Sequence, residues 1–253
     1  AITARGIYRY KKLKLNYFNM GKRIEIEVPT SLEDITLGQY QHYLKILDQN
    51  EGKEANDFIN KKLVEIFCNI NLNEVDSIPV VDFNRILEVL EKAFKEKFSL
   101  IRHFELGEVE MGFIPKLDDM SLGEYVDIEA SITDWQNIHK AMGVLYRPVN
   151  FKSKDKYTIA PYKPNEDIQQ WMKEMPLSAV MSCMVFFYDL GTELSRASLA
   201  YLEMEMNKDK TSQLKEALEE SGVGISQFMD SLKETSQSLT KLQKSQSLSV
   251  SLT

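Results

Sequence analysis

Leu32-Glu33-Asp34-Ile35-Thr36-Leu37-Gly38-Gln39-Tyr40 returns 85 residues later as Leu117-Asp118-Asp119-Met120-Ser121-Leu122-Gly123-Glu124-Tyr125. Every position is the same residue or a close chemical substitute. Both copies carry the signature of a helix start. Thr36 and Ser121 stand where an N-cap hydroxyl would accept a backbone N–H, and Gln39 and Glu124 follow three residues on, which is capping-box spacing. Ile35 and Met120 precede the caps, and Tyr40 and Tyr125 occupy the fourth helical position, as in a hydrophobic staple. The acidic pairs Glu33-Asp34 and Asp118-Asp119 suit the positive end of a helix dipole. The phrase is a structural device used twice, and none of it is chemistry.

The repeat extends upstream. Ile24 to Val28 alternates apolar and acidic residues and closes at Pro29, and Val109 to Ile114 closes at Pro115. Each is a strand pattern, and each can be the second arm of a hairpin. Leu13 to Phe18 would turn at Asn19 to Lys22, and Arg102 to Leu106 would turn at Gly107-Glu108. The duplicated units therefore cover 24–47 and 109–145, each a strand, a proline and a capped helix. Two copies fall short of the several short-period repeats that a solenoid requires.

Helical spacing continues over Leu37–Leu47, Asn56–Cys68 and Val81–Phe98, the last with Phe83, Ile86, Leu90 and Phe94 on one stripe. Asn71–Pro79 reads as a connection with a short turn. Ile132–Leu145 reads as one helix, its stripe being Trp135, Ile138, Met142 and Leu145, ended by Arg147-Pro148. Residues 150–166 read as a lysine- and proline-rich loop around one strand at Tyr157–Ala160. A long helix is expected over Leu177–Met206, buried from Val180 to Tyr188, and an amphipathic one over Ile225–Leu242. The expected fold is mainly α with short β-hairpins, an α+β class. It has a body at 23–206 and, at 207–253, a charged linker, the amphipathic helix and a disordered Ser/Gln-rich tail.

With 43% hydrophobic and 27% charged residues, the chain falls among globular proteins rather than disordered ones. The net charge of −7 is uneven: residues 1–23 hold seven basic side chains and no acid, so the remainder carries −14. A body that acidic argues against a general nucleic-acid binder, which needs a basic face. Residues 1–22 form a basic extension, and Met20-Gly21-Lys22-Arg23 reads as a natural start within it. No apolar run long enough to span a membrane is present; Ala179–Leu190 is broken by Ser182 and Asp189.

The residues that carry chemistry are sparse. His42, His103 and His139 lack zinc-ligand spacing. Cys68 and Cys183 lie in apolar helical surroundings, as buried, unreactive thiols do. The acidic pairs could meet to hold a divalent ion, but solvated helix starts account for them more simply. Gly222-Val223-Gly224 lacks the lysine of a phosphate loop. Lys152, Lys154, Lys156 and Lys163 with Tyr157 and Tyr162 form a small basic, aromatic patch, suited to an acidic partner or to nucleic acid. No catalytic residue, cofactor or metal ligand is assigned. Met181, Met184, Phe186 and Phe187 crowd one helix, most of them expected in the core. Phe228, Met229, Leu232 and Leu239 on the C-terminal amphipathic helix are the candidate partner-binding residues.

Five stretches carry a resemblance: EVPTSLEDITLGQYQHYLKI at 27–46, MGFIPKLDDMSLGEYVDI at 111–128, HKAMGVLYRPV at 139–149, MPLSAVMSCMVFF at 175–187 and GVGISQFMDSLKE at 222–234. They are similar to a family of tailed-bacteriophage proteins encoded among virion-assembly genes and described as tail assembly chaperone-like. That resemblance implies a non-enzymatic assembly factor, found in the infected host's cytoplasm or in the virion. Its partner would be another phage protein, such as the tape-measure protein or tail subunits. The alternative it leaves is a permanent virion component: a connector, tail or packaged protein.

Overall fold

The computed structural model describes residues 13–19, 22–50, 56–96, 99–154 and 156–206, with side chains outside 16–24 and 194–206. The chain divides into two units, residues 1–182 and 183–253. The fold is α+β, with helices predominating over two small antiparallel sheets.

The first unit opens with the expected hairpin. β1 (Leu13–Asn19) pairs antiparallel with β2 (Lys22–Val28), from Leu13 opposite Val28 to Asn19 opposite Lys22. The alternation of β2 sends Ile26 and Val28 into the core and leaves Glu25 and Glu27 exposed. After Pro29 a single 3-10 turn, Leu32–Asp34, leads into α1 (Leu37–Gln49). Helices α2 (Asn56–Phe67), α3 (Leu72–Asp76) and α4 (Val80–Phe94) follow. Where the sequence suggests only a turn, α3 forms because Asn71 and Glu74 make a third capping box. Leu63, Val64 and Phe67 of α2 and Ile86, Leu90 and Ala93 of α4 are buried, as their spacing requires.

β3 (His103–Leu106) turns through Gly107, at φ +60°, into β4 (Val109–Phe113). A second 3-10 turn, Leu117–Asp119, precedes α5 (Leu122–Glu129). The single helix expected over Ile132–Leu145 does not form; α6 begins only at Ile138 and runs to Leu145. Asp134 explains the delay. Its carboxylate accepts the Gln136 N–H at 2.9 Å and the Asn137 side-chain amide at 2.6 Å, local bonds that compete with helix.

The chain then passes directly into β5 (Tyr146–Ser153), which lies between β4 and β6 (Lys156–Ile159) in the sheet order β3-β4-β5-β6. Arg147-Pro148 therefore lies inside a strand instead of ending a helix before a loop. Pro148 is tolerated there because a register shift between Val149 and Phe151 interrupts the ladder, while its carbonyl still accepts the Ala160 N–H at 2.8 Å. α7 (Glu166–Trp171) and a 3-10 turn (Met172–Glu174) bring the chain to α8 (Leu177–Met206), which has the expected bounds.

The core of this unit is continuous from β2 through Ile35 and Leu37, α2, α4 and α6 to Met172, Met175, Leu177 and Val180, all buried. Tyr146 is fully buried between Phe104 and Phe113, both edge-on to it at 5.2 and 5.3 Å, and its hydroxyl donates to the Ile101 carbonyl at 2.8 Å. In the second unit the described part is α8 from Cys183 onward. Phe186 and Phe187 meet edge-on at 5.3 Å, and with Met184 they are half-buried rather than core. Among the described residues no helix is long and apolar enough to cross a membrane.

Candidate functional site

Both capping boxes form. Thr36 Oγ1 accepts the Gln39 N–H at 3.2 Å, and Gln39 Oε1 accepts the Thr36 N–H at 2.9 Å. In the second copy Ser121 Oγ accepts the Glu124 N–H at 3.3 Å, and Glu124 Oε2 accepts the Ser121 N–H at 2.7 Å. The cap residues have nearly the same backbone, φ −86° and ψ 155° at Thr36 against φ −73° and ψ 158° at Ser121.

Gln39 and Glu124 differ for a tertiary reason. The spare amide of Gln39 donates to the Ile66 carbonyl at 2.7 Å, which needs a donor. The spare oxygen of Glu124 receives the Arg147 guanidinium at 2.8 Å, which needs an acceptor. Both ionic side chains are nearly buried. Burial would raise the Glu124 pKa, but the hydrogen bonds from Ser121 and the charge of Arg147 outweigh it and hold the carboxyl below its ordinary value. Tyr162 donates to Asp127 at 2.6 Å on the same helix. The inward side of α5 is thus anchored by polar contacts.

The outward side differs sharply between copies. Leu37 is 0% and Tyr40 6% exposed, whereas Leu122 is 78%, Tyr125 55% and Val126 50% exposed. The first copy is covered by the segment before α8. Leu37 N–H donates to the Met175 carbonyl at 3.0 Å and Leu177 N–H to the Ile35 carbonyl at 2.8 Å, a short antiparallel bridge centred on Thr36 and Pro176. Tyr40 packs edge-on against Trp135 at 5.2 Å and near Phe94 at 6.0 Å.

The shared glycine records the same contrast. A Cβ on Gly38 would lie 3.3 Å from both the Cβ and the carbonyl oxygen of Lys173, while one on Gly123 would meet nothing within 4 Å. Glycine costs up to about 1 kcal/mol relative to alanine within a helix. Close backbone approach accounts for it at Gly38. Nothing among the described residues does so at Gly123.

Beside the first copy an open groove of about 690 Å³ is lined by Glu25, Glu27, Asp34, His42, Cys68 and Glu174, among others. It is acidic, but Lys14 engages both Glu25 and Glu27, at 2.5 and 3.5 Å. Burial pushes the Cys68 thiol up to about 12, so it carries no thiolate at neutral pH. Cys183 is buried too, and its thiol is raised for the same reason. Among the described residues no group of three or more His, Cys, Asp or Glu side chains could hold a metal ion.

His139 is buried; Gln41 Nε2 lies 3.2 Å from its Nδ1, and the His139 Nε2 has no hydrogen-bond partner among the described residues. Burial, aided by Lys173 and Lys140, lowers its pKa to about 4. His103 sits edge-on to Tyr157 at 4.3 Å. The basic, aromatic patch is engaged internally in part: Tyr157 donates to the Phe113 carbonyl at 2.5 Å, Tyr162 to Asp127, and Lys152 pairs with Glu110, while Lys154, Lys156 and Lys163 are exposed.

Of the residues singled out in the sequence, Thr36, Gln39, Ser121 and Glu124 form the two caps. Phe228, Met229, Leu232 and Leu239 lie outside the described residues. The bare face of Leu122, Tyr125 and Val126 and the Glu124–Arg147 pair are additions that spacing alone did not signal. No family model matches the chain, and no curated protein or solved structure is significantly similar to it.

Proposed function

We propose that this chain is a non-enzymatic bacteriophage assembly factor, acting as a tail assembly chaperone that binds another phage protein through apolar helical surface. The carrying observation is the open face of α5, where Leu122, Tyr125 and Val126 stand at least half exposed on a helix anchored from behind by Glu124 and Arg147. Grouped apolar side chains on an anchored helix are how protein-binding surfaces are built. The resemblance of residues 27–46, 111–128, 139–149, 175–187 and 222–234 to tail assembly chaperone-like proteins supplies the phage context. The tape-measure protein or a tail subunit is the expected client.

Affinity purification of the tagged full-length chain from infected cells, with mass spectrometry of both the eluate and purified particles, tests this reading. A chaperone recovers a tail protein in the eluate and is missing from finished particles. Stoichiometric copies in particles would assign it as a virion component instead, and recovery of no phage protein would refute the assembly role.

A further inference from the structure

The two copies of the motif allow the occupant of the second to be read from the first. In the first copy three features act together. The carbonyl of Ile35 and the N–H of Leu37 form a two-bond bridge to Met175 and Leu177, the backbone at Lys173 presses on Gly38, and Leu37 is sealed from water. In the second copy the corresponding groups are the Met120 carbonyl, the Leu122 N–H, Gly123 and the Leu122 side chain. Among the described residues neither of those two backbone groups makes a backbone hydrogen bond, Gly123 has open space where Gly38 has a chain, and Leu122 is 78% exposed.

We infer that the second copy is a docking site for an extended segment of a partner protein, seated as residues 172–177 are seated on the first. This rests on the protein-binding reading above and names the chemistry of the client's contact. The segment supplies one carbonyl to Leu122 N–H and one N–H to the Met120 carbonyl. Its middle residue faces Ser121 and need donate nothing, as Pro176 shows opposite Thr36. Its flanking backbone lies over Gly123, and its apolar side chains cover Leu122, Tyr125 and Val126. This is strand addition at a very short edge.

Charge narrows the partner further. Asp118, Asp119 and Glu129 are exposed around the face, against Lys116. Complementarity therefore favours a segment with lysine or arginine beside its apolar residues. A second copy of this chain fits less well: its own 172–177 segment is already engaged with its own first motif, and its body is acidic.

The test uses the full-length chain, labelled with ¹⁵N, and a synthetic peptide carrying residues 171–182 with the change Glu174→Lys. Saturable shifts at the Leu122 and Gly123 amides, with slowed exchange at Leu122 and unmoved Leu37 and Gly38 amides, are expected. Gly123→Val, at a position where an added Cβ meets nothing within 4 Å among the described residues, should weaken peptide binding at least tenfold while the rest of the spectrum is retained. Leu122→Asp should do the same. Absence of saturable shifts, shifts centred on Leu37 and Gly38, or equal binding by Gly123→Val would overturn the inference. So would a dimer in solution that Leu122→Asp dissolves, because the occupant would then be a second copy. A phage client recovered equally by wild type and Gly123→Val would leave the assembly role standing and remove this site from it.

Discussion

The two motif copies share a sequence phrase, a preceding strand and proline, a 3-10 turn and a complete capping box, yet one is core and the other surface. At Leu37 the phrase is sealed; at Leu122 it is 78% exposed. Local chemistry therefore accounts for the helix starts and says nothing about what lies over them. The difference comes from Met172 to Leu177, nearly 140 residues from the first copy in sequence, which return to cover that copy alone.

Core truncation should separate the copies most. Leu37→Ala is expected to cost about 3 kcal/mol in urea unfolding, since it leaves a cavity beneath the Met175–Leu177 bridge. Leu122→Ala should stay within about 0.5 kcal/mol, as exposed substitutions do. Equal costs would mean that the second face is covered in the isolated protein.

Exchanging the third helical residues sharpens the comparison. Gln39→Glu sets a carboxylate against the Ile66 carbonyl, and Glu124→Gln removes the charge that neutralises Arg147. Each should cost about 2 kcal/mol, the scale of a buried polar group deprived of its partner. A neutral result for either would show that capping, rather than the tertiary partner, decides the residue.

The glycines should move in opposite directions. Gly123→Ala is expected to stabilise the isolated chain by about 0.5 kcal/mol through helix propensity. Gly38→Ala should destabilise it, because Lys173 backbone stands 3.3 Å from the new carbon. Thermal melts of the two variants decide this.

The last contrast concerns pH. His139 joins the first copy's helix, through Gln41, to the chain following the second. Its folded pKa of about 4 lies below the ordinary 6.5, so the unfolded chain binds the proton that the folded one refuses. Stability should fall as pH drops from about 6.5 toward 4, with no further pH dependence from this group above that window. Lys173 and Lys140 reinforce the depression and Asp134 opposes it. His139→Gln should flatten the stability profile over that interval. From about pH 4.5 downward, Glu124 adds a loss of its own, because the unfolded chain protonates this carboxyl before the folded one does.

Much of the architecture was legible because it rests on short-range signals. Caps, hairpin alternation and the 3.6-residue stripes placed β1, β2, β3, β4, α1, α2 and α8 close to their observed positions. α4 ends at Phe94, four residues earlier than its stripe suggested. The failures share a cause. Trp135 lies on a convincing helical stripe, but the Asp134 side chain captures the backbone locally, and the ring instead packs on Tyr40. Pro148 looks like a terminator, yet the β4 edge and a register shift accommodate it within a strand. In each case a competing contact, visible only when the partner is in place, overrode a correct local preference.

The same division holds for the candidate site. Thr36, Gln39, Ser121 and Glu124 were readable as caps because a side chain reaching three residues along its own backbone needs no other part of the chain. Whether Leu122 or Leu37 would be left bare could not be read there, since both have the same neighbours in sequence. Burial depends on surfaces brought together from distant segments, and a single segment ending in Pro176 and Leu177 covers one of two near-identical faces.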